Sequence, residues 1–171
     1  CEAPVQGRLL LRTRLNAADA RTHVSRTAGI ELPLEPNTAS GGEYPALWIG
    51  PGRWLINMPG GDMPATRAKI ASALEGGTFL LSDVSHSRFV IGLSGRRAPE
   101  LMSRLCPLDL DEKAFTTGRC AQSLLARVPM LIHRLGNEPR FHLYVDRSHA
   151  HYAWDWLTDA ALSMGAKEGD A

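Results

Sequence analysis

Residues 82–128, SDVSHSRFVIGLSGRRAPELMSRLCPLDLDEKAFTTGRCAQSLLARV, constrain this chain most. They combine a pair of short apolar strands expected to pair with each other, a sharp turn at Ser94 and Gly95, a short helix, a proline-containing exit and a return to a strand. Apolar runs this short, separated by Gly and Pro, fit half-buried or buried strands in hairpins. Phe89, Val90 and Ile91 are expected inside, as are Leu124 and Leu125. The rest of the chain reads as layers packed on this unit.

The same grammar runs through the remaining sequence. Residues 8–15 carry Leu9, Leu10 and Leu11 and read as a strand. Asn16 is placed to cap a helix over residues 17–28, with Gly29 as its stop. Leu47-Trp48-Ile49 and Trp54-Leu55-Ile56 flank Gly50-Pro51-Gly52, a hairpin in which Pro presets φ and the second Gly accepts a positive φ. Asp62 is placed to cap a helix over 64–74, closed by Gly76 and Gly77. Strands are expected at 78–84 and 88–93, joined near Ser85, His86 and Ser87.

Ser94 is the expected cap of a helix over 97–105, stopped by Pro107. Two further strands, 122–127 and 130–135, are expected to pivot at Pro129. Gly136, Asn137, Glu138 and Pro139 form a turn before a strand at 140–145. Ser148 is the expected cap of a last helix over 149–164, with Gly165 as its stop and Tyr152, Trp156 and Ala160 on one face. A polar tail at 166–171 is expected to fray. The fold class is therefore α+β, with mostly antiparallel sheets and helices packed on them. With 171 residues, the expectation is one domain, 1–171, with two lobes at about 1–80 and 81–165.

Charge narrows the partners. Nineteen Lys and Arg stand against 18 Asp and Glu, which argues against binding dominated by nucleic-acid phosphates. No apolar run approaches the roughly 20 residues of a membrane helix, and the N-terminal residues lack a signal-peptide layout. The three cysteines, Cys1, Cys106 and Cys120, match neither a disulfide framework nor a zinc spacing, so a cytoplasmic location is expected. Cys1 is consistent with a processed or trimmed start.

Candidate chemistry is sparse. Ser85-His86 near Asp83 contains hydrolase residue types, but neighbouring strand residues diverge, and turn capping explains them better. His149 and His151 have the wrong spacing for a shared metal on a helix. His133 and His142 are placed to meet across the hairpin at Gly136 as a polar cross-strand pair. Cys106 and Cys120 read as buried structural residues. Gly50-Pro51-Gly52 lacks the Lys-Ser/Thr ending and following helix of a phosphate loop. No catalytic, cofactor-binding or metal-binding residue is assigned. Trp154 is an expected interface anchor, with Arg119, Arg134 and Arg147 as companions.

The runs LCPLDLDEKAFTTGRCAQSLLARVPMLIHRL (105–135) and FHLYVDRSHAHYAWDWL (141–157), with IGPGRWLI (49–56) and SDVSHSRFVIGLSG (82–95) upstream, resemble the gamma subunit family of heterotetrameric sarcosine oxidase. The likeness covers about 47–161. It implies a fold similar to a lobe of the glycine-cleavage T-protein. It implies a non-catalytic subunit of a complex that oxidatively demethylates sarcosine to glycine, transfers the one-carbon unit to tetrahydrofolate and forms hydrogen peroxide. By the same resemblance FAD, FMN, NAD, tetrahydrofolate and zinc belong to alpha, beta and delta partner subunits, with beta as the expected contact. The family's relatives in N-methylglutamate dehydrogenase complexes, and a free-standing folate-binding one-carbon transfer protein, are the alternatives. No acidic residue matches the catalytic carboxylate that folate chemistry in a T-protein relative would imply; Asp83 comes nearest, and strand-end capping accounts for it equally well.

Overall fold

The computed structural model describes residues 7–58, 60, 62–136 and 138–165. Cys1, Asn137 of the expected turn and the tail at 166–171 lie outside them. The described residues form two compact units, one ending at Ser85 and one starting at His86.

The first unit is built on β1 (Gly7–Thr13), β2 (Ala46–Gly50), β3 (Arg53–Met58) and β4 (Phe79–Asp83), with helices α1 (Ala17–Ala28) and α2 (Met63–Ala73). Its antiparallel sheet has the order β2-β3-β1-β4. Local chemistry sets the helix ends. Asn16 Oδ1 accepts a hydrogen bond from the Ala18 N–H at 2.8 Å, and Gly29 turns left-handed at φ 69°. Asp62 Oδ1 accepts from the Ala65 N–H at 3.0 Å and Pro64 starts the first turn of α2. Each cap satisfies an N–H that the helix leaves without a partner.

Period-2 alternation selects the core face of this sheet. Leu9 pairs with Ile56 and Leu11 with Trp54, so these side chains share one face. They are buried with Val24 of α1 and Ile70 of α2. At the hairpin, Gly52 has φ 63°, and its carbonyl accepts the Thr13 N–H at 2.9 Å. A Cβ there would stand 2.5 Å from the Thr13 carbonyl oxygen, a backbone atom that cannot swing aside. Gly52→Ala is therefore expected to destabilise the chain by about 2 kcal/mol, combining left-handed strain with this clash. Urea unfolding of the variant beside the parent checks it.

The second unit contains β5 (Arg88–Ser94), α3 (Ala98–Ser103), β6 (Cys120–Leu125), β7 (Val128–Arg134), β8 (Arg140–Asp146) and α4 (Ala150–Ser163). Its antiparallel sheet has the order β5-β8-β7-β6. Ile91, Met130, Ile132, Phe141, Leu143 and Val145 form the face that buries α3 and α4 through Leu101, Met102, Ala153, Leu157 and Ala160. Helices thus lie on one face of an antiparallel sheet in each unit, the α+β layout that the sequence implies.

Five local expectations are corrected, the simplest being Leu124, which was expected inside but lies exposed on β6 beside the buried Leu125. The two strands around Ser85-His86-Ser87 do not pair: β4 joins β1 and β5 joins β8, in different sheets, so residues 82–128 straddle both units. The β6–β7 turn falls at Ala126 and Arg127 rather than at Pro129, with Ala126 at φ 51°. Pro129, opposite Leu124 on β6, is tolerated inside β7 because the ladder to β8 begins only at the next residue, Met130↔Val145. Ser94 is the last residue of β5, and α3 starts after Arg97 without a side-chain cap. Ser148 lies in a single 3-10 turn, Arg147–His149, and α4 also starts without one.

Candidate subunit-docking site

The residue types that attract a catalytic reading are occupied by the fold. The Ser85 N–H donates to Asp83 Oδ1 at 2.9 Å, and the Ser85 hydroxyl donates to the same oxygen. Ser85 Oγ also accepts from the Arg8 N–H at 3.0 Å, and its carbonyl accepts from Arg8 Nη2 at 2.6 Å. Asp83 and Ser85 therefore stitch the end of β4 to β1, and no hydrogen bond joins Ser85 Oγ to His86. Cys106 and Cys120 are buried free thiols, and Cys106 Sγ lies 3.6 Å from Ser123 Oγ. Among the described residues no three His, Cys, Asp or Glu side chains are grouped to hold a metal.

His133 and His142 do meet, as register partners on β7 and β8. Burial, reinforced by His142, pushes the His133 imidazole down to about 4. Burial, then the Arg140 charge, also lowers His142. His133 Nδ1 is buried without a hydrogen-bond partner, and the His142 ring meets Tyr144 edge-on at 6.2 Å. Two neutral imidazoles in the sheet are the state this geometry favours.

The expected interface residues separate. Arg134 is 1% exposed. It donates through Nη1 to the Phe115 carbonyl at 2.8 Å, lies 3.5 Å from Glu112 and sits over the Phe141 ring at 6.0 Å. It holds the 107–119 segment against the end of the core. Arg119 is half-buried, its carbonyl accepting the Arg134 N–H at 2.9 Å. Arg147 is exposed, with its N–H on the Ser87 carbonyl at 3.0 Å. Trp154 is half-buried against the core on α4, and Trp156 is exposed, its ring tilted against Tyr152 at 6.2 Å.

Trp154 borders a feature that pattern reading missed. The end of β5, the start of α3 and the outer half of α4 enclose a cleft of about 470 Å³. Its floor is apolar, with Ile91, Leu93, Leu101 and Leu157, and its rim carries Arg96 and Arg97. Arg97 is already bound, to Glu100 Oε2 at 2.9 Å and to the Met164 carbonyl at 2.8 Å. A shallower depression on the outer face of α4 adjoins it through Trp154 and Thr158 and extends to Leu162. The sequence signal is that α4 carries Trp154, Trp156 and Leu162 in addition to the Ala153, Leu157 and Ala160 stripe that its core contact uses. A helix apolar on a second side has surface left to cover.

Two helix-backed antiparallel sheets define an α+β chain, and the surface beside Trp154 is largely apolar. The glycine cleavage system aminomethyltransferase T from Bartonella henselae shares that fold, with a TM-score of 0.68 over 91% of this chain and 44% of that one at 12% identity. The match becomes specific with the sarcosine oxidase gamma subunit family, whose model matches residues 14–163. This chain belongs to that family. A sarcosine oxidase subunit gamma from Corynebacterium sp. (strain P-1) is 31% identical over 84% of this chain and 70% of its own length. One from an Arthrobacter species is 31% identical over 81% and 68%. A chain of the heterotetrameric sarcosine oxidase from Corynebacterium sp. U-96, solved with pyrrole 2-carboxylate, matches with a TM-score of 0.86 at 25% identity, over 97% of this chain and 84% of that chain.

Proposed function

We propose that this chain serves as the gamma subunit of a heterotetrameric sarcosine oxidase complex, an oxidoreductase assembly. Its reaction is the oxidative demethylation of sarcosine to glycine, with the one-carbon unit passed to tetrahydrofolate and hydrogen peroxide released. The observation that carries this reading is family membership across residues 14–163. The likeness to a chain of a solved heterotetrameric sarcosine oxidase supports it. The curated relatives are named for sarcosine oxidase, which favours sarcosine over other N-methyl amino acids.

In this reading FAD, FMN, NAD, tetrahydrofolate and zinc reside on the alpha, beta and delta subunits. This chain contributes a seat, chiefly for the beta subunit, in the cytoplasm. The engagement of Asp83 and Ser85 in a turn and the burial of both described cysteines support a structural role. No described helix is long and apolar enough to cross a membrane. Trp154, Arg119 and Arg147 remain candidates for direct contact, whereas Arg134 acts from inside by holding the 107–119 segment.

Purifying the tagged chain from its native cells and recording the absorption of what accompanies it tests the proposal. Larger chains with the visible bands of oxidised flavin are expected. A colourless single chain is the contrary result.

A further inference from the structure

On the basis of that reading, we propose that the cleft and the outer face of α4 form one continuous seat for a segment of a partner subunit. The segment has an apolar centre, an acidic group at one end and a basic group at the other.

The shape comes from α4. Trp154 and Thr158 line both the cleft and the adjoining depression, so the two are one surface. From Trp154 to Leu162 the helix rises roughly 12 Å, enough for two turns of a facing segment. Leu162 is 40% exposed and Trp156 43%, although both are large and apolar. Such side chains left in water beside an apolar cleft lose free energy that a partner recovers by covering them, and tryptophan is a frequent anchor at such contacts.

The charges define the occupant. Arg96 stands exposed at the cleft rim and has no hydrogen bond or ion pair among the described residues. Asp155 and Asp159, one turn apart on α4, are likewise exposed without such partners and flank the depression. By contrast, Arg97, Glu100 and Arg104 form their own exposed cluster. An isolated positive group at one end and a negative pair at the other impose a direction on whatever lies between them. Charges of this kind, at the rim of an apolar contact, steer and orient association more than they strengthen it.

The test is co-expression of the tagged full chain with the other subunits of its complex, with the amount of flavin-bearing partner retained as readout. Leu162→Glu, and separately the pair Asp155→Lys and Asp159→Lys, are expected to cut partner retention about tenfold or more, with the melting curve of the chain alone unchanged. Should Leu162→Glu unfold the chain, the charge-reversed pair, at two exposed positions, probes the same surface. Retention at the parental level by folded variants overturns the docking proposal and leaves the gamma-subunit reading standing. Failure of the parent chain itself to retain any flavin-bearing partner overturns that reading.

Discussion

Replacing Trp54 with alanine is expected to destabilise the chain by about 3–5 kcal/mol, the range for deleting a large aromatic from a packed core. Trp54 lies on β3, flanked by β2 and β1, and is fully buried in the cluster that joins the sheet to α1 and α2. Removing the indole opens a cavity between that sheet and its helices. It also strands a polar group, because Trp54 Nε1 donates to the Pro33 carbonyl at 2.8 Å. Trp54→Phe separates the two terms: it keeps most of the volume, loses the hydrogen bond and is expected to cost about 1–3 kcal/mol. Chemical denaturation of both variants, followed by circular dichroism, measures the difference. Equal losses would show that the indole N–H, rather than its volume, carries the effect.

Acid is expected to destabilise the fold through His133. Its folded value, about 4, lies below the ordinary 6.5, because burial and then His142 disfavour the charged ring. The folded state therefore stays neutral where the unfolded chain takes up a proton. The contribution is fully present above pH 6.5 and is lost as pH falls towards 4, at about 1.4 kcal/mol per pH unit and roughly 3 kcal/mol in total. His142 is shifted in the same direction and steepens the loss. His133→Leu removes the proton-binding group and is expected to flatten the stability profile between pH 6.5 and 4. The carboxylates Glu31 and Glu100 are held below their ordinary values by exposed partners, and their contributions are lost as pH falls through those lowered values. A variant profile as steep as the parent's would assign the acid sensitivity elsewhere.

What the sequence revealed, and what it hid, follows from how far each determinant acts. The α1 boundaries were legible because Asn16 and Gly29 fix them within a few residues. The Pro51-Gly52 hairpin was legible because proline and glycine supply its dihedral angles directly. The β6–β7 turn misled because Ala126 carries no signature of its positive φ, while Pro129 looked like a pivot. The assignment of β4 and β5 to different sheets depends on pairings with β1 and β8, distant in sequence, and two adjacent apolar runs do not encode that choice.

The cleft beside Trp154 shows the same limit. Trp154 stood out by residue type, but the cleft requires β5, α3 and α4 to converge, and local periodicity says nothing of that. Arginine is ordinarily a surface residue. Arg134 was accordingly expected with Arg119 and Arg147 at an interface, yet its register on β7 turns it inward to the Phe115 carbonyl. The cross-strand meeting of His133 and His142 was legible because the Gly136 turn sets the register of β7 against β8. Their burial was not, since it depends on the assembled sheet.

The most direct measurement is native mass spectrometry of this chain co-expressed with the other subunits of its complex. A four-subunit particle that contains this chain and carries flavin is the expected result. Detection of this chain only at its own single-chain mass, beside a flavin-bearing assembly that forms without it, would overturn the gamma-subunit assignment.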